Sequence, residues 1–550
     1  MRQWMVAAKK ADFYAIAEKF HVDPVVARII RNREVIGEKN IRIYLGGNLS
    51  DLSDPHQMKD MDRLVEILAQ KIRKQVHIRI IGDYDVDGVT SSHLFLTALR
   101  RVGAKVDVVI PHRIQDGYGL SLHLLQQAKE DGVDTILTCD NGIAAIDEIA
   151  WAKAQKMTVL VTDHHAVPFE EHEGRRTEKK SLADAVVNPH QQDCGYPYKE
   201  LCGAGVAWNV IRVLYENYDM DKREAEDLLD FVAMATVCDV MSLTGENRIL
   251  VKEGLKRIRH TKNIGLQALM QACNVQPENI SAYHFGYVLG PCVNATGRLD
   301  TARHALRLFE TGQETEAEEI ARDLVDLNQE RKELTLQGVE MAKKLCEEGG
   351  YENDPVLVLF LPDVHESIAG LIAGRIREMY NRPVFVLTRG EEGVKGSGRS
   401  TENYSMYENM CGCAELFTKF GGHPMAAGLS LPEENVEKFR RKINENCPLT
   451  VEEVCPDIHI DMAMPVGYAS TELVHQFALL EPFGKDNPSP LFADRNLSIS
   501  RMWLIGKNRN VLRMSVLSEY GQPVPVIFFG DVETLFAYFT EKFGQEEVEN

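Results

Sequence analysis

Four short apolar segments between residues 76 and 190 each run directly into residues that can bind metal ions or phosphate. Carboxylates crowded into one crevice repel one another unless cations lie among them. A mixture of carboxylates and imidazoles suits Mn²⁺ or Mg²⁺ better than a thiolate zinc site does, and two such ions bridged by a carboxylate hydrolyse phosphoesters. The residues in question are GDYDVDG at 82–88, HR at 112–113, DNG at 140–142 and DHH at 163–165.

The surrounding sequence predicts the elements that would bring these residues together. Runs such as HIRII, KVDVVIP, DTILTC, TVLVT and AVVNP are β-rich, and helical patterns such as SSHLFLTALRRVG lie between most of them. This alternation predicts βαβ units and a parallel, doubly wound sheet, that is, an α/β fold. Open α/β sheets bind ligands at the carboxyl ends of their strands, so we expect Asp83, Asp85, Asp140 and His164 to converge there.

Other interpretations of the same residues have to be weighed. Asp83, Asp85 and Asp87 followed by Gly88 resemble the start of a calcium EF-hand loop, but the twelfth position is Leu94 instead of Glu and a strand precedes the loop. An Asp after a strand can also be a helix N-cap or a turn former, which remains an alternative for each residue taken singly. The chain has neither a G-x-G-x-x-G after the first strand nor a G-x4-G-K-[ST] motif, which argues against dinucleotide cofactors and P-loop ATPases.

The rest of the chain divides into further regions. Residues 314–347 are predicted to form one long helix with an apolar stripe that Arg331 and Gly338 interrupt, and we interpret it as an interdomain strut. A second small α/β domain follows, and then several strand-like runs that suggest a small barrel. The predicted regions are a helical N-terminal segment (1–70), a catalytic α/β domain (71–250), a helical connector (251–350), a second α/β domain (351–452) and a barrel (453–550).

Composition limits the possible functions. With 550 residues, 44 % of them hydrophobic and 26 % charged, the chain is an ordinary multidomain globular protein and not a disordered one. A net charge of −20 excludes a protein that binds nucleic acid by being basic all over, but not one with a local basic groove. The 11 cysteines lack a framework spacing, and no signal peptide or membrane-length apolar run is visible, so a cytoplasmic protein with reduced thiols is expected.

Several of these motifs resemble those of a known protein superfamily. GDYDVDG, TCDNG and TDHH resemble successive motifs of the DHH phosphoesterase superfamily, and a fourth motif, an Asp after a helix, matches ATVCDV at 235–240. The chain is similar over nearly its whole length to the RecJ branch, a family of single-strand-specific 5′→3′ DNA exonucleases. The similar segments are PHRIQDGYGLS (111–121), VVNPHQQDCGYP (186–197), LCGAGVAW (201–208), GPCVNATGRLD (290–300), GSGRS (396–400), GGHPMAAGLSL (421–431) and LEPFGKDNPSPLF (480–492).

The resemblance implies a metal centre and assigns its residues. Asp140 would bridge two Mn²⁺ or Mg²⁺ ions, and His165 would lie beside the scissile phosphate, so that His165, Asp140 and His164 are the catalytic set. Asp87 is expected near the ions without binding them, and Asp163 is expected to orient His164 or its loop. The implied metal ligands are Asp83, Asp85, Asp140, His164 and Asp239.

The second α/β domain is expected to bind the substrate. GSGRS at 396–400 predicts a glycine-lined turn whose backbone N–H groups and Arg399 guanidinium contact phosphate, and Gly421-Gly422-His423 would let backbone approach the substrate in the same way. In RecJ-like proteins Arg113, Ser397 and Arg399 would hold the 5′-phosphate. An interdomain salt bridge is the alternative for Arg298. The implied substrate-binding residues are Arg113, Arg298, Ser397, Gly398, Arg399, Gly422 and His423.

The expected function is therefore that of a single-strand-specific 5′→3′ DNA exonuclease of repair and recombination, which releases 5′-mononucleotides by two-metal hydrolysis. An OB-like barrel and the basic stretch Lys507–Arg513 would grip the DNA, although only about four strand-like runs are found where an OB-fold has five. The family suggests a monomer that works with a single-strand-binding protein and a helicase. The alternatives are a DHH phosphodiesterase of short oligonucleotides or cyclic dinucleotides, and a non-catalytic DNA-binding scaffold.

Overall fold

The computed structural model describes residues 4–113, 116–117, 119–172, 175–299, 301–351, 353–390, 393–450, 458–506, 510–545 and 548. The chain forms two compact units, which we describe separately. One unit comprises Gly47–Pro456 with Pro482–Asn487, and the other comprises Met1–Gly46, Asp457–Glu481 and Pro488–Asn550. None of the helices in the described ranges is both long enough and apolar enough to cross a membrane.

The N-terminal part of the second unit contains one strand and three helices: β1 (Trp4–Val6), α1 (Phe13–Phe20), α2 (Pro24–Asn32) and α3 (Glu38–Gly46). Helix α2 begins at a favourable cap, because Asp23 accepts a hydrogen bond from Val25 N–H and Pro24 occupies the first turn. The expectation of only helices and loops before residue 70 is wrong at β1, which pairs in parallel with residues Ile458–Ile460. A three-residue strand whose partner lies near the other end of the chain leaves no periodic signal in the local sequence.

A parallel five-stranded sheet forms the core of the catalytic region. Its strand order is β3-β2-β4-β5-β8, every neighbouring pair is parallel, and the central strands are almost completely buried. The predicted doubly wound α/β fold is thus confirmed. The elements are α4 (Met61–Arg73), β2 (His77–Ile81), α5 (Val86–Arg101), β3 (Lys105–Val109), α6 (Leu122–Glu130), β4 (Thr135–Cys139), α7 (Ile146–Ala154), β5 (Thr158–Thr162), the hairpin β6 (Phe169–His172) and β7 (Arg175–Glu178), and β8 (Ala185–Val187).

A helical region follows the sheet. The long helix predicted over 314–347 is confirmed as α16, and Gly338, which interrupts its apolar stripe, is a packing position because a Cβ there would lie 2.3 Å from Ile372 Cδ1. A π-helical turn, Phe285–Leu289, joins α13 to α14. The helices are α8 (Gly203–Asn217), α9 (Arg223–Glu226), α10 (Leu229–Cys238), α11 (Gly245–Ile258), α12 (Ile264–Ala272), α13 (Ala282–His284), α14 (Gly290–Leu299), α15 (Arg303–Glu310) and α16 (Glu314–Glu348).

The second α/β region is built on a mixed five-stranded sheet with the order β12-β13-β11-β10-β9. Strands β9 and β10 are parallel and the other neighbours are antiparallel. Its elements are β9 (Leu357–Phe360), α17 (Ala369–Tyr380), β10 (Val384–Arg389), β11 (Val394–Arg399), α18 (Met406–Cys411), β12 (Lys419–His423), β13 (Ala426–Leu431) and α19 (Val436–Glu445).

The prediction of a turn at GSGRS is wrong, because its first four residues lie in the central strand β11. This strand pairs with β10 on one side and β13 on the other, so its backbone belongs to the sheet. The glycines serve packing: a Cβ on Gly398 would lie 2.5 Å from Met406 Sδ and 2.7 Å from Phe385 Cε1. Ser397 and Arg399 alternate with the glycines and therefore point to the opposite face.

The C-terminal part of the second unit has short strands in three separate sheets. Strands β17, β18 and β19 form an antiparallel sheet, and the parallel pairs β1–β14 and β15–β16 are two-stranded. A buried ion pair between Arg33 and Asp461, at 2.7 Å, joins the two ends of the chain inside this unit. The elements are β14 (Ile458–Ile460), β15 (Met462–Ala463), α20 (Thr471–Phe477), β16 (Phe492–Ala493), β17 (Ile499–Ile505), β18 (Val511–Leu517), β19 (Pro523–Phe529) and α21 (Val532–Phe543).

The packing role of the β11 glycines predicts the effect of adding one methyl group. Gly398→Ala should lower the free energy of unfolding by about 1–3 kcal/mol, because the methyl group overpacks the core between Phe385 and Met406. Gly374→Ala in α17 is the matched control: its Cβ would meet nothing within 4 Å, so it should stabilise by about 0.5–1 kcal/mol. Thermal unfolding of the two variants measures both effects, and equal midpoints would contradict the prediction.

Candidate active site

The strand ends converge at one edge of the parallel sheet, as the sequence predicts. Three overlapping groups of side chains there could each hold a metal ion, with ligand atoms within 4.8 Å of one another in each group. Asp140 and His164 each belong to two of these groups. The groups are Asp83–Asp85–Asp140, Asp140–His164–His165 and Asp87–His164–Asp239.

Asp140 is held in a strained conformation at the centre of this cluster. Its φ of 61° lies in the left-handed region, which is uncommon for residues other than glycine and occurs often at functional sites. Helix α8 packs against it so closely that a Cβ on Gly203 would lie 2.6 Å from Asp140 Cβ. Any side chain at position 203 would collide with Asp140, the proposed bridging ligand, which explains the glycine at this position of the LCGAG segment.

Two carboxylates of the GDYDVDG loop, those of Asp85 and Asp87, are held in place by backbone N–H donors. Asp85 caps α5 by accepting a hydrogen bond from Gly88 N–H at 3.0 Å. Asp87 lies at the N-terminus of α8, where the N–H groups of Gly203 and Ala204 donate to its two oxygens at 2.6 and 2.7 Å. The positive end of the helix dipole also favours this carboxylate. Asp87 is thus anchored by protein donors, while its Oδ2 still lies 3.6 Å from His164 Nε2.

Asp163 orients His165 and the backbone of the DHH turn. Its Oδ1 accepts hydrogen bonds from His165 Nδ1–H at 2.7 Å and from the N–H groups of His164 and His165, and its Oδ2 accepts one from Ile143 N–H. Burial of the His165 ring lowers its pKa, but the hydrogen bond to Asp163 and the negative charges of Asp163, Asp239 and Asp87 together outweigh that effect and raise the pKa to about 9. His165 is therefore a cation at neutral pH.

Asp239 enters the cluster from the C-terminal end of α10, where the helix dipole disfavours a negative charge. The next residue, Val240, has a φ of 54°, a strained conformation for a β-branched side chain. Burial and the charges of Asp87 and Asp85 raise the pKa of Asp239, and the positive charge of Lys485 offsets part of that rise. The backbone carbonyl of Lys485 also accepts a hydrogen bond from Leu243 N–H. No local sequence pattern points to a role for Lys485, although it lies in the segment 480–492 that resembles the family.

The electrostatics of the cluster favour bound cations. Burial raises the pKa of four carboxyl groups above the ordinary value, and the neighbouring carboxylates raise it further. In the described part of the chain, the buried atoms Asp83 Oδ1 and His164 Nε2 make no hydrogen bond. Oxygen and imidazole ligands with this repulsion between them fit divalent ions. The four groups are Asp83, Asp85, Asp140 and Asp239.

A second feature, which we call the phosphate cleft, lies between the two α/β regions of the same unit. It has a volume of about 500 Å³ and receives side chains from the GDYDVDG loop, from α14 and from β11. Arg298 donates to the carbonyl of Ser367 at 2.7 Å, and Arg113 lies 4.8 Å from the centre of the Tyr84 ring. The lining residues used below are Tyr84, Arg113, Arg298, Ser397, Arg399 and Gly421.

Three guanidinium groups repel one another in this cleft. Burial lowers the pKa of Arg298 to about 10 and also lowers that of Arg399, and Arg113 lowers both further. None of the three forms an ion pair with a carboxylate within the described ranges. Unpaired, crowded guanidinium groups are what a bound phosphate would stabilise.

The other predicted substrate residues lie elsewhere on β11 and β12. Gly398 faces the core, whereas Gly422 and His423 are exposed on β12 and, among the described residues, do not line the phosphate cleft. Residues 507–509 of the predicted basic stretch Lys507–Arg513 lie outside the described residues, and Arg513 is exposed on β18. The structure thus brings together Arg113, Arg298, Ser397 and Arg399.

Comparison with known families identifies the class of this fold and site. Residues 77–236 match the model of the DHH family, N-terminal domain, and residues 353–447 match the DHHA1 domain. Residues 460–543 match the RecJ OB domain. All residues of the metal cluster except Asp239 lie in the first match, and β11 with Arg399 lies in the DHHA1 match.

Two curated relatives narrow the class. The chain is 34 % identical to the single-stranded-DNA-specific exonuclease RecJ of Haemophilus influenzae, over 90 % of this chain and 88 % of that protein. It is 33 % identical to the corresponding Bacillus subtilis protein, and the match spans 92 % of this chain but 63 % of that protein. The chain belongs to the RecJ family.

Solved structures agree with this assignment. The Mn²⁺ complex of RecJ from Thermus thermophilus superimposes with a TM-score of 0.81 at 27 % identity, covering 96 % of this chain and 74 % of that one. A second manganese-bound exonuclease RecJ superimposes with a TM-score of 0.62 at 32 % identity, covering 72 % of this chain and 97 % of that one. The acidic and histidine groups of this chain are therefore positioned for divalent metal ions.

Asp140→Asn tests the repulsion in the cluster. The amide keeps the shape and tolerates the left-handed conformation but removes a charge, so the metal-free variant should melt a few degrees above the unmodified protein. Mn²⁺ at 100 times its Kd should stabilise the unmodified protein by about 2.7 kcal/mol and the variant much less. Calorimetry with and without Mn²⁺ measures both. A metal-free variant that is less stable than the parent would contradict the account.

The same carboxylates predict a pH dependence. Because their pKa values are raised, the folded metal-free protein keeps protons that the unfolded chain has lost above about pH 4. Its stability should fall as the pH rises through the raised pKa values. Mn²⁺ replaces those protons, so the Mn²⁺-induced rise in melting temperature should be larger at about pH 8 than at about pH 5. A rise that does not change with pH would contradict the assignment.

Proposed function

We propose that this protein is a single-strand-specific 5′→3′ DNA exonuclease that releases 5′-mononucleotides. The observation that carries the proposal is the pair of neighbouring sites: a carboxylate–histidine cluster for two divalent ions and a phosphate cleft with three unpaired guanidinium groups, joined by the GDYDVDG loop. The family relatives named above as single-stranded-DNA-specific exonucleases support it.

The chain's own residues would prepare the reaction in the following way. Asp83, Asp85, Asp140, His164 and Asp239 would hold two Mn²⁺ or Mg²⁺ ions, with Asp140 shared between them. When bound, these ions activate water and neutralise charge on the scissile phosphate. The backbone donors on Asp85 and Asp87 and the packing of Gly203 on Asp140 keep the carboxylates in place before the ions arrive.

His165 would act on the phosphate directly. Asp163 fixes the orientation of its half-exposed ring and, through the hydrogen bond at Nδ1, favours the protonated form of the imidazole. An imidazolium beside the scissile phosphate can donate a hydrogen bond to a non-bridging oxygen and so stabilise the charge that develops there. Asp163 is a positioning residue in this scheme, because it acts through His165.

The phosphate cleft would bind the 5′-phosphate. Arg113, Arg298 and Arg399 supply charged donors, and Ser397 supplies a hydroxyl on the same face of β11. A crevice lined from two α/β regions would admit one strand and exclude a duplex, which gives the preference for single strands a steric basis. Gly422 and His423 on β12 would contact the strand outside the cleft.

The OB region would grip the rest of the DNA. On the antiparallel sheet, Trp503, Arg513 and Ile527 are cross-strand neighbours and all three are exposed. The Arg513 guanidinium carbon lies 6.0 Å from the centre of the Trp503 ring. An exposed aromatic ring with an adjacent guanidinium suits base stacking and phosphate contact. We also propose that the protein acts as a monomer and works with a single-strand-binding protein and a helicase.

A panel of labelled substrates tests the function. With Mn²⁺, mononucleotides should appear from a long 5′-phosphorylated single strand and not from a blunt duplex. Cleavage of dinucleotides alone would favour a DHH phosphodiesterase of short oligonucleotides, and binding without cleavage would favour a DNA-binding scaffold. Product chromatography distinguishes the three outcomes.

Arg399→Gln tests the 5′-phosphate site. Loss of a charged hydrogen bond should reduce kcat/KM on 5′-phosphorylated single strands by about 10- to 100-fold, with little effect on the same strand ending in a 5′-hydroxyl. Arg389→Gln is the matched control, because Arg389 lies in the neighbouring strand β10, is exposed and pairs with Glu433. Equal losses of kcat/KM on both substrates would show that Arg399 does not bind the 5′-phosphate.

A further inference from the structure

Two exposed tyrosines, Tyr283 and Tyr287, stack on each other in a helical segment that packs against the end of α10, the helix that supplies Asp239. The side chains of Tyr283 and Tyr287 are 63 % and 71 % exposed. Their ring centroids are 5.1 Å apart with an angle of 24° between the planes. Burying such aromatic surface would be favourable, so an exposed stacked pair beside a catalytic centre is a candidate ligand surface.

The helical segment that carries the tyrosines connects them to both functional sites. The segment runs from α13 through the π-helical turn into α14. Asn294 in α14 accepts a hydrogen bond from Val86 N–H in the metal loop, and Arg298 reaches into the phosphate cleft. Asn294 and Arg298 are four residues apart and so lie on one side of α14, and Tyr283 and Tyr287 stack on each other across the π-helical turn. A π-helical turn is itself frequent at functional sites.

The tyrosine-bearing turn also packs against the helix end that supplies Asp239. The Cys238 thiol donates to the carbonyl of Phe285, and a Cβ on Gly286 would lie 3.5 Å from Val237 Cγ1. Phe285 is fully buried, so this turn is anchored through Phe285 while Tyr283 and Tyr287 remain exposed. The tyrosines are thus fixed relative to the metal cluster by direct packing.

We propose that Tyr283 and Tyr287 form a stacking surface for the bases on the 3′ side of the scissile phosphate. The inference rests on the proposed exonuclease function and deepens it. With the 5′-phosphate at Arg298 and the metal loop at Asn294, a strand that continues past the metals would run towards Tyr287 and Tyr283 at the other end of this segment. Every base has an aromatic face, so this surface binds the strand without selecting a sequence.

A cycle of protein and substrate changes tests the proposal. The double variant Tyr283→Ala/Tyr287→Ala should lose about 5- to 100-fold in kcat/KM on a 5′-phosphorylated 12-nucleotide strand, as expected for the loss of base stacking. It should cleave a 5′-phosphorylated dinucleotide whose second nucleotide is abasic at the same rate as the unmodified protein, because that substrate has no base on the 3′ side of the scissile phosphate. Removing one base within nucleotides 2–5 of the 12-mer should slow the unmodified protein at one or two positions, and should not slow the double variant further there.

Two control variants separate stacking from other roles. Tyr283→Phe/Tyr287→Phe keeps the rings and should retain full activity on the 12-mer. Tyr14→Ala removes a tyrosine that is 79 % exposed on α1, and should leave both substrates unaffected. Each variant is made in the full chain, and its melting temperature is compared with that of the unmodified protein.

The outcomes are distinguishable. If the unmodified protein does not degrade the 12-mer, the proposed function fails and this inference fails with it. If the unmodified protein degrades the 12-mer and the Ala double variant does so equally well, the proposed stacking role of the tyrosines is wrong, whereas the proposed exonuclease function is retained. Equal losses on the dinucleotide and the 12-mer would also overturn it, since they would indicate a general disturbance of α14.

Discussion

Repulsion between buried carboxylates is the constraint on which the catalytic region depends. Four aspartates with raised pKa values lie within one cluster, and a chain cannot keep them there without local compensation. The structure supplies three kinds of support: backbone N–H donors at the starts of α5 and α8, a strained backbone at Asp140, and close packing of Gly203. The donors stabilise the carboxylates, whereas the strained backbone at Asp140 and the crowding of the charges cost stability in the absence of cations, which is the pattern expected of a site shaped for metal ions.

The second α/β region contributes to a cluster of positive charges instead of negative ones. Its sheet places Arg399 beside Arg113 and Arg298 without a carboxylate to pair with any of them in the described ranges. Glu366 also lines the cleft, but its carboxylate pairs with Lys395 at 2.8 Å and, in the described ranges, with none of the three arginines. A chain with a net charge of −20 can therefore still bind a polyanion locally.

The sequence correctly predicts those parts of the site whose residues lie close together in the chain. Strand ends followed by Asp and His residues are visible in one window, and the parallel sheet that gathers them follows from βαβ alternation. The sequence misleads at GSGRS because glycine has two uses: it permits turns, and it permits close packing in a strand, as at Gly398. The pairing of β1 with β14 and the approach of Lys485 to Asp239 depend on contacts between distant segments, which no local pattern encodes.

The GDYDVDG loop sets the distance between the two sites. Asp83 and Asp85 belong to the metal cluster, while Tyr84 between them lines the phosphate cleft and packs under Arg113. Helix α14 contacts the same residue so closely that a Cβ on Gly297 would lie 2.4 Å from the Tyr84 carbonyl oxygen, and the next residue of the helix is Arg298. Because Tyr84 lies between two members of the metal cluster in the chain, the metal cluster and the phosphate cleft are direct neighbours. On the proposed function, a 5′-phosphate in the cleft would place the next phosphate along the strand at the metals. A loop of this length would therefore favour release of mononucleotides, whereas a longer separation would favour oligonucleotides.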